Sequence, residues 1–400
     1  MTDEQGPPLA VCEVARRGRL LIGEPFFEPG RPLTLGRTGS VAAGEGDLVA
    51  VRPRGDGRAT VVAVLGSPGD VAAVVHAVAV DEGFGERWGE EVEDELSRLP
   101  RDPLVADPGR VDLRDRLTFT IDPPDARDFD DALTIEREAG GLRVLVHIAD
   151  VSAFVPAGGA IDREAERRGC SVYLPGRVEP MLPHALSSGL CSLQPDVDRF
   201  AITIDVAVDG QITAYRSVIR SSHRLSYPQV ESILDGRESV APALRQALAD
   251  AHELSARLRD ARFARGAARI DSREVEFTFA DGRVARAQAA AEPVAHSLIE
   301  ELMLLANERV AELLAEARAP ALFRVHEPAR PEAVELLVER LEELEVPKPP
   351  QPDLSGPSRA AAYAAQVSEW VTRYTTQARR GRVAFPLLVL RALERARYAP

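Results

Sequence analysis

Between Thr118 and Asp131 the chain reads TFTIDPPDARDFDD, with Asp122, Asp125, Asp128, Asp130 and Asp131 packed between two strand-like runs. Few other features constrain a fold as strongly. Carboxylates a few ångström apart repel one another, and at least one resists ionisation unless a cation neutralises the group. Leu117, Phe119 and Ile121 alternate with Thr118, Thr120 and Asp122, the period-2 pattern of a half-buried strand. Pro123-Pro124 stops that strand, because proline supplies no ladder donor. A second strand-like run follows at Ala132 to Arg137, so the cluster straddles a strand–turn–strand junction where carboxylates can converge. Strict alternation puts Asp128 and Asp130 on one face and Asp131 on the other, so a bend at the turn is needed for all to meet.

Hard divalent ions such as Mg²⁺ prefer carboxylate oxygen and leave room for water and substrate phosphates. The competing reading is a solvated acidic turn, since Asp and Pro are ordinary turn formers. A calcium EF-hand is excluded, because no glycine stands where that loop turns sharply.

Four hundred residues suffice for two or three domains with substantial cores. No apolar run approaches the ~20 residues of a membrane span, and MTDEQGPP lacks a signal-peptide pattern. Cys12, Cys170 and Cys191 lack the spacing of a metal site or disulfide framework, which predicts a reducing, cytoplasmic setting. A net charge of −14 argues against a protein that coats nucleic acid nonspecifically, though not against a locally basic groove.

Residues 1–80 read as β-structure, with short runs at Arg19 to Ile22, Asp47 to Arg52 and Ala59 to Val64 between glycine- and proline-rich turns. A small barrel of the OB or cold-shock type suits that spacing. Stacking aromatics are scarce there, Phe26 and Phe27 being the candidates, so base recognition is not expected of it. Residues 81–110 are acidic and helical in pattern and form a linker. The catalytic unit, 111–400, opens with strands and continues with helices, the order of an α+β domain. Glu138 to Gly141 is a hairpin turn, followed by a strand from Leu142 to Val151. His147 in that apolar strand reads as a core residue. Helical spacing runs from Gln229 through Arg265, and over Pro293 to Ala317, Pro331 to Glu345, Ser358 to Arg379 and Phe385 to Arg397, with a short strand at Ala321 to His326.

Taken together, GRVDLRDRLTFTIDPPDARDFDDAL, VHIADVSAFV, DREAERRGCSVYLPGRVEPMLPHALSSGLCSL, HSLIEELMLLAN and ALFRVHEP resemble the catalytic domain of the ribonuclease II/ribonuclease R (RNB-domain) exoribonuclease family. The resemblance runs from Gly109 to the end. GDLVAVRPRGDGRATVVAVLGSPGD more loosely resembles that family's second cold-shock-type domain. The resemblance implies processive, Mg²⁺-dependent hydrolysis of single-stranded RNA from the 3′ end to nucleoside 5′-monophosphates. The sequence leaves the oligomeric state open, with a monomer favoured. It places Asp122, Asp128, Asp130 and Asp131 at the four acidic positions and leaves Asp125 outside. Asp122, Asp128 and Asp131 are assigned to metal, and Asp130 to positioning the attacking water. Tyr173 matches an aromatic that stacks on a terminal base, and Tyr227 in RLSYPQV a tyrosine near the cleaved nucleotide. One of Glu300 and Glu301, with Glu301 favoured, matches a carboxylate on the terminal nucleotide; an acceptor for a 2′-hydroxyl distinguishes RNA from DNA.

Two departures from the family pattern stand out. A second clamp aromatic falls in RGAARID, where this chain has Ile270, which offers no π-face. The family continues past RALERARYAP into a block with a phosphate-gripping arginine and an RNA-binding OB domain, and the sequence given stops at Pro400. An impaired RNA-binding member or a fragment is therefore the alternative expectation. A general metal-dependent phosphoesterase is a third, resting on the acidic cluster alone.

Overall fold

The computed structural model describes residues 8–36, 42–84, 88–100, 109–207, 210–267, 275–280, 283–289, 294–350 and 354–400; Ile270 lies outside them. The chain begins with strands β1 (Ala10–Arg17), β2 (Leu20–Pro25), β3 (Leu33–Gly36), β4 (Leu48–Pro53) and β5 (Arg58–Gly66). Helices α1 (Val71–Asp81) and α2 (Glu90–Ser97) follow, then β6 (Val111–Asp112), β7 (Phe119–Asp122), β8 (Asp131–Glu138), β9 (Gly141–Ala149) and α3 (Ala160–Arg168). Next come β10 (Val172–Leu174), β11 (Arg177–Glu179), β12 (Asp198–Val206), β13 (Ile212–Arg220) and β14 (His223–Ser226). The remainder is α4 (Tyr227–Leu234), α5 (Pro242–Ala264), β15 (Val275–Ala280), β16 (Arg283–Ala289), α6 (Val294–Glu316), β17 (Phe323–Val325), α7 (Pro331–Glu343), α8 (Pro357–Ala378), α9 (Ala384–Ala392) and β18 (Arg397–Ala399).

Two compact units result. The first takes Met1–Val105, Val151–Cys191 and Val275–Gln288, and the second Ala106–Asp150, Ser192–Glu274 and Ala289–Pro400.

In the first unit β1-β2-β3-β5-β4 close into an OB-like barrel. Closure follows from alternation: Cys12, Val14, Val49, Val51 and Ala59 fill one buried cluster, while Val11, Leu48 and Ala50 face α1 through Ala77 and Val80. Helix α1 corrects the expectation of β-structure through residue 80. Asp70 caps it by accepting the Ala72 N–H at 3.0 Å, and alanines carry its buried face. Gly66, at φ +131°, allows the barrel to meet that helix, because a Cβ there would lie 2.7 Å from the Ala73 Cβ. In the same unit, Glu95 of α2 accepts the Ala160 N–H at 2.5 Å and so caps α3 from outside. The β10–β11 hairpin belongs to this unit too.

The second unit is built on a seven-stranded sheet ordered β14-β7-β8-β9-β12-β13-β6, parallel at its two outer pairs. Phe119, Ile121, Leu133, Ile135, Val144, Val146 and Ile204 face α4, α5 and α6 and bury the main core with Leu248, Leu298 and Leu302. Fully burying such a side chain contributes roughly 1.5–3 kcal/mol, so this face dominates the unit's stability. The expected helix from Gln229 to Arg265 is two helices, α4 and α5, because Asp235-Gly236 interrupts it with Gly236 at φ +75°. A second cluster joins α7, α8 and α9 around Val338, Leu341, Tyr363, Val367 and Phe385. Helix α9 stops at Ala392, short of the expected Arg397, because Arg397 to Ala399 pair with β17 instead.

The acidic turn, a candidate metal and RNA site

Strand β7 ends on Asp122, which is 9% exposed, and β8 begins on Asp131, paired with Ile148 of β9. Between them residues 123–130 have no regular structure, and several bonds hold them. Pro123 to Ala126 form a β-turn closed by the Ala126 N–H donating to the Pro123 carbonyl at 3.1 Å, with Pro124 where its fixed φ suits such a turn. Phe129 is buried; its N–H donates to Ser192 Oγ at 3.1 Å and its carbonyl accepts the Leu193 N–H at 2.9 Å. Ser192 in turn donates to the Arg127 carbonyl at 3.0 Å, and the Asp130 carbonyl accepts the Ala149 N–H at 2.9 Å. Phe129 therefore anchors inward while Asp128 and Asp130 flank it.

These constraints bring Asp122, Asp128, Asp130 and Asp131 into one electrostatic neighbourhood. Burial raises the Asp122 carboxyl to about 6, and the charge of Asp128 adds to that. Asp130 rises to about 6 through crowding of its carboxyl by protein atoms, then through Asp128 and Asp122. Asp131 rises furthest, to about 7, through burial and then Asp122 and Asp130. Alternation alone sets Asp131 opposite Asp130 unless the turn bends; the chain is irregular through residues 123–130, regular strand begins only at Asp131, and Asp131 is coupled to Asp122 and Asp130. Asp125 is exposed on the turn.

The donor set fits a hard cation in chemistry. Its members are all carboxylates, and Asp122 Oδ2 is buried without a hydrogen-bond partner among the described residues. As the side chains stand, no three His, Cys, Asp or Glu among the described residues are arranged to hold an ion. A cation there would have to draw the carboxylates together.

Tyr227 opens α4, its ring 5.6 Å from that of His296, and burial followed by Asp122 and Asp131 raises its hydroxyl pKa. It thus shares the neighbourhood of the aspartates. Glu301 is 3% exposed in α6, and both its oxygens accept from Arg262 Nε at 3.2 Å; the neighbouring Glu300 side chain is 47% exposed. Tyr173 lies on β10 in the first unit, 66% exposed. His147 is a core residue, as its apolar strand suggests: it is fully buried between Thr134 and Thr203.

Sequence reasoning passed over Arg224 and Ser192, which brace the turn from more than sixty residues away in the chain. Arg224 adjoins Tyr227 in RLSYPQV, but a single arginine in a strand carries no local signature.

The family described as the RNB domain matches residues 110–400. The chain belongs to the RNB family. Among curated RNB relatives, ribonuclease R of Escherichia coli is 44% identical over 259 residues, 62% of this chain and 32% of that protein. The chain therefore spans about a third of that relative's length. Among solved structures, Mycoplasma genitalium RNase R in complex with ribose-methylated single-stranded RNA superposes with a TM-score of 0.82 at 25% identity, over 98% of this chain and 63% of that one. Yeast Ssd1, a pseudonuclease, shares the fold at a TM-score of 0.65 and 15% identity, over 99% of this chain and 50% of that one.

Proposed function

We propose that this RNB-family chain is a hydrolytic 3′→5′ exoribonuclease acting on single-stranded RNA with Mg²⁺ and releasing nucleoside 5′-monophosphates. What supports the reading is the mutual charge coupling of Asp122, Asp128, Asp130 and Asp131 around one turn, with Tyr227 coupled to Asp122 and Asp131, inside an RNB domain. Asp122, Asp128 and Asp131 would hold the cation, which when bound supplies Lewis acidity at the scissile phosphate. Asp130, more exposed than its neighbours, positions the attacking water through its carboxylate. Tyr227 packs beside the nucleotide being cleaved. Tyr173 offers a π-face to any base, which suits a sequence-tolerant enzyme and contributes roughly 1–3 kcal/mol per stacked base. A carboxylate of the Glu300–Glu301 pair accepts the terminal 2′-hydroxyl and so selects RNA. Cytoplasmic location and a monomeric state belong to the same reading; no described helix is long and apolar enough to cross a membrane.

The test incubates 3′-tailed RNA with the chain and Mg²⁺, with Asp130→Asn as control. Mononucleotide release by the wild type, abolished by EDTA and by Asp130→Asn, is the expected result. Equal, metal-independent loss of RNA in both samples would overturn it. A second reading, an RNA-binding member without turnover, is favoured by the lack of a ready three-ligand group among the described residues. It predicts RNA binding by fluorescence anisotropy with no mononucleotide at any enzyme concentration.

A further inference from the structure

Arg224 bridges the two arms of the acidic turn. It lies in β14, which runs parallel to β7 and pairs Arg224 with Thr120 and Ser226 with Asp122. From there its Nη2 donates to two successive carbonyls, Pro123 at 2.8 Å and Pro124 at 2.7 Å. The same guanidinium lies 5.5 Å from the centroid of the Phe129 ring. One side chain therefore touches both arms of the acidic turn. Pro123 and Pro124 directly follow Asp122, and Phe129 stands between Asp128 and Asp130.

The turn needs such a brace. Residues 123–130 form no ladder, and their carboxylates repel, so electrostatics alone would spread the arms apart. Proline carbonyls in this turn lose no hydrogen bond by accepting from a side chain. The planar guanidinium can meet carbonyl oxygens with its edge and an aromatic ring with its face. We infer that Arg224 is a positioning residue, setting the separation of Asp122 from Asp128 and Asp130 so that Asp122, Asp128 and Asp131 can close on one divalent cation with Asp130 beside them. This rests on the reading of the aspartates as a metal site.

A role as a mere counter-charge predicts the opposite behaviour. Arg224 carries a positive charge close enough to Asp122 to favour its ionised form. Were charge all that mattered, neutralising Arg224 would make the site more attractive to a cation. Positioning predicts weaker binding on neutralisation, because the carboxylates would no longer be spaced for it.

The experiment titrates Mn²⁺ into the full chain by calorimetry, comparing wild type with Arg224→Gln and Arg224→Lys, beside urea melts in cation-free buffer. Mn²⁺ affinity should fall on the order of tenfold in Arg224→Gln, the scale seen when a residue orienting metal ligands is removed. Arg224→Lys, which keeps the charge and loses the planar fork, should recover only part of it. Unchanged or tighter Mn²⁺ binding by folded Arg224→Gln overturns the inference. If Arg224→Gln does not fold, Phe129→Leu removes the ring and keeps the charge. Weaker Mn²⁺ binding in that variant supports positioning, and unchanged binding overturns it. A wild type that binds no Mn²⁺ overturns the metal-site reading and this inference together, whereas binding by wild type and Arg224→Gln alike overturns the inference alone.

Discussion

His147 and Thr203 face each other across β9 and β12, with the imidazole Nδ1 2.9 Å from the threonine hydroxyl. Around them runs a buried polar chain. Thr118 and Thr134 hydroxyls lie 2.8 Å apart, Thr134 is 3.1 Å from His147 Nε2, Thr203 is 2.7 Å from Ser217, and Ser217 donates to the Ala201 carbonyl at 3.2 Å. With Ser217 donating at that end, one orientation satisfies every member. His147 donates from Nδ1, Thr203 accepts and donates onward, and Thr134 donates to Nε2. Nitrogen-15 NMR should find the neutral Nδ1–H tautomer of His147 at about pH 5, where a free imidazole is protonated.

The same burial makes a pH prediction. It holds the folded-state pKa of His147 down at about 3, against 6.5 for the free group. Between those values the unfolded chain binds a proton that the folded chain does not. Stability therefore rises with pH through that window and is lost as pH falls. From about pH 5 to about pH 7.5 the wild type should gain about 2 kcal/mol more than His147→Gln in urea denaturation. Comparison with the variant removes the contributions of the aspartates, which have the opposite sign.

Asp131 shows that opposite sign. Its folded-state pKa is raised from 3.8 to about 7, chiefly by burial. Its favourable contribution is complete below the unfolded value and is lost as pH rises through about 7. In cation-free buffer at about pH 8, Asp131→Asn should thus be more stable than wild type, on the order of 1–3 kcal/mol by thermal or urea melts. Adding Mn²⁺ should raise the wild-type melting temperature and leave the variant's nearly unchanged. A variant that is both more stable and insensitive to the ion separates a functional carboxylate from a structural one.

At the start of the RNB match, Arg110 Nη2 donates to Asp150 Oδ2 at 2.6 Å, both side chains almost fully buried, and the guanidinium carbon lies 4.0 Å from the Phe200 ring centroid. Asp150→Ala should cost about 3–5 kcal/mol, because it leaves a buried charge uncompensated. Combining Asp150→Leu with Arg110→Met should recover much of that loss, since two apolar groups leave nothing unpaired. Urea melts of the single and double variants measure the difference.

Local pattern made the acidic turn legible, and with it the flanking strands and the long helices, because each is written in consecutive residues. What stayed illegible was nonlocal. VAAVVHAVAVD in α1 is mostly apolar and carries neither a clean 3.6 nor a clean 2.0 period, so local pattern does not mark it as a helix. The path of residues 123–130 depends on contacts of Phe129 with Ser192 and Leu193, more than sixty residues later in the chain. Arg224 was invisible as a brace because its partners lie a hundred residues earlier. Burial of Glu301 depends on Arg262, in a different helix.

That burial separates two adjacent carboxylates, of which the family resemblance favours Glu301. Glu301 holds Arg262 with both oxygens, so Glu301→Gln should lower stability by about 1–3 kcal/mol, the cost of weakening a buried charge-assisted pair. Arg262 cannot transfer the whole interaction to Glu300, whose carboxylate lies 3.5 Å away on a side chain about half exposed to solvent. Glu300→Gln should accordingly change stability by less than about 0.5 kcal/mol. Access runs the other way: a ribose hydroxyl can reach Glu300 directly, but reaches Glu301 only if Arg262 yields. Glu300→Gln is therefore expected to lose more of the preference for an RNA over a DNA 3′ end. Anisotropy with oligonucleotides differing only in the terminal 2′-hydroxyl, beside urea melts of both variants, checks the two effects separately. Discrimination lost in Glu301→Gln alone would instead mean that Arg262 releases its partner when RNA binds.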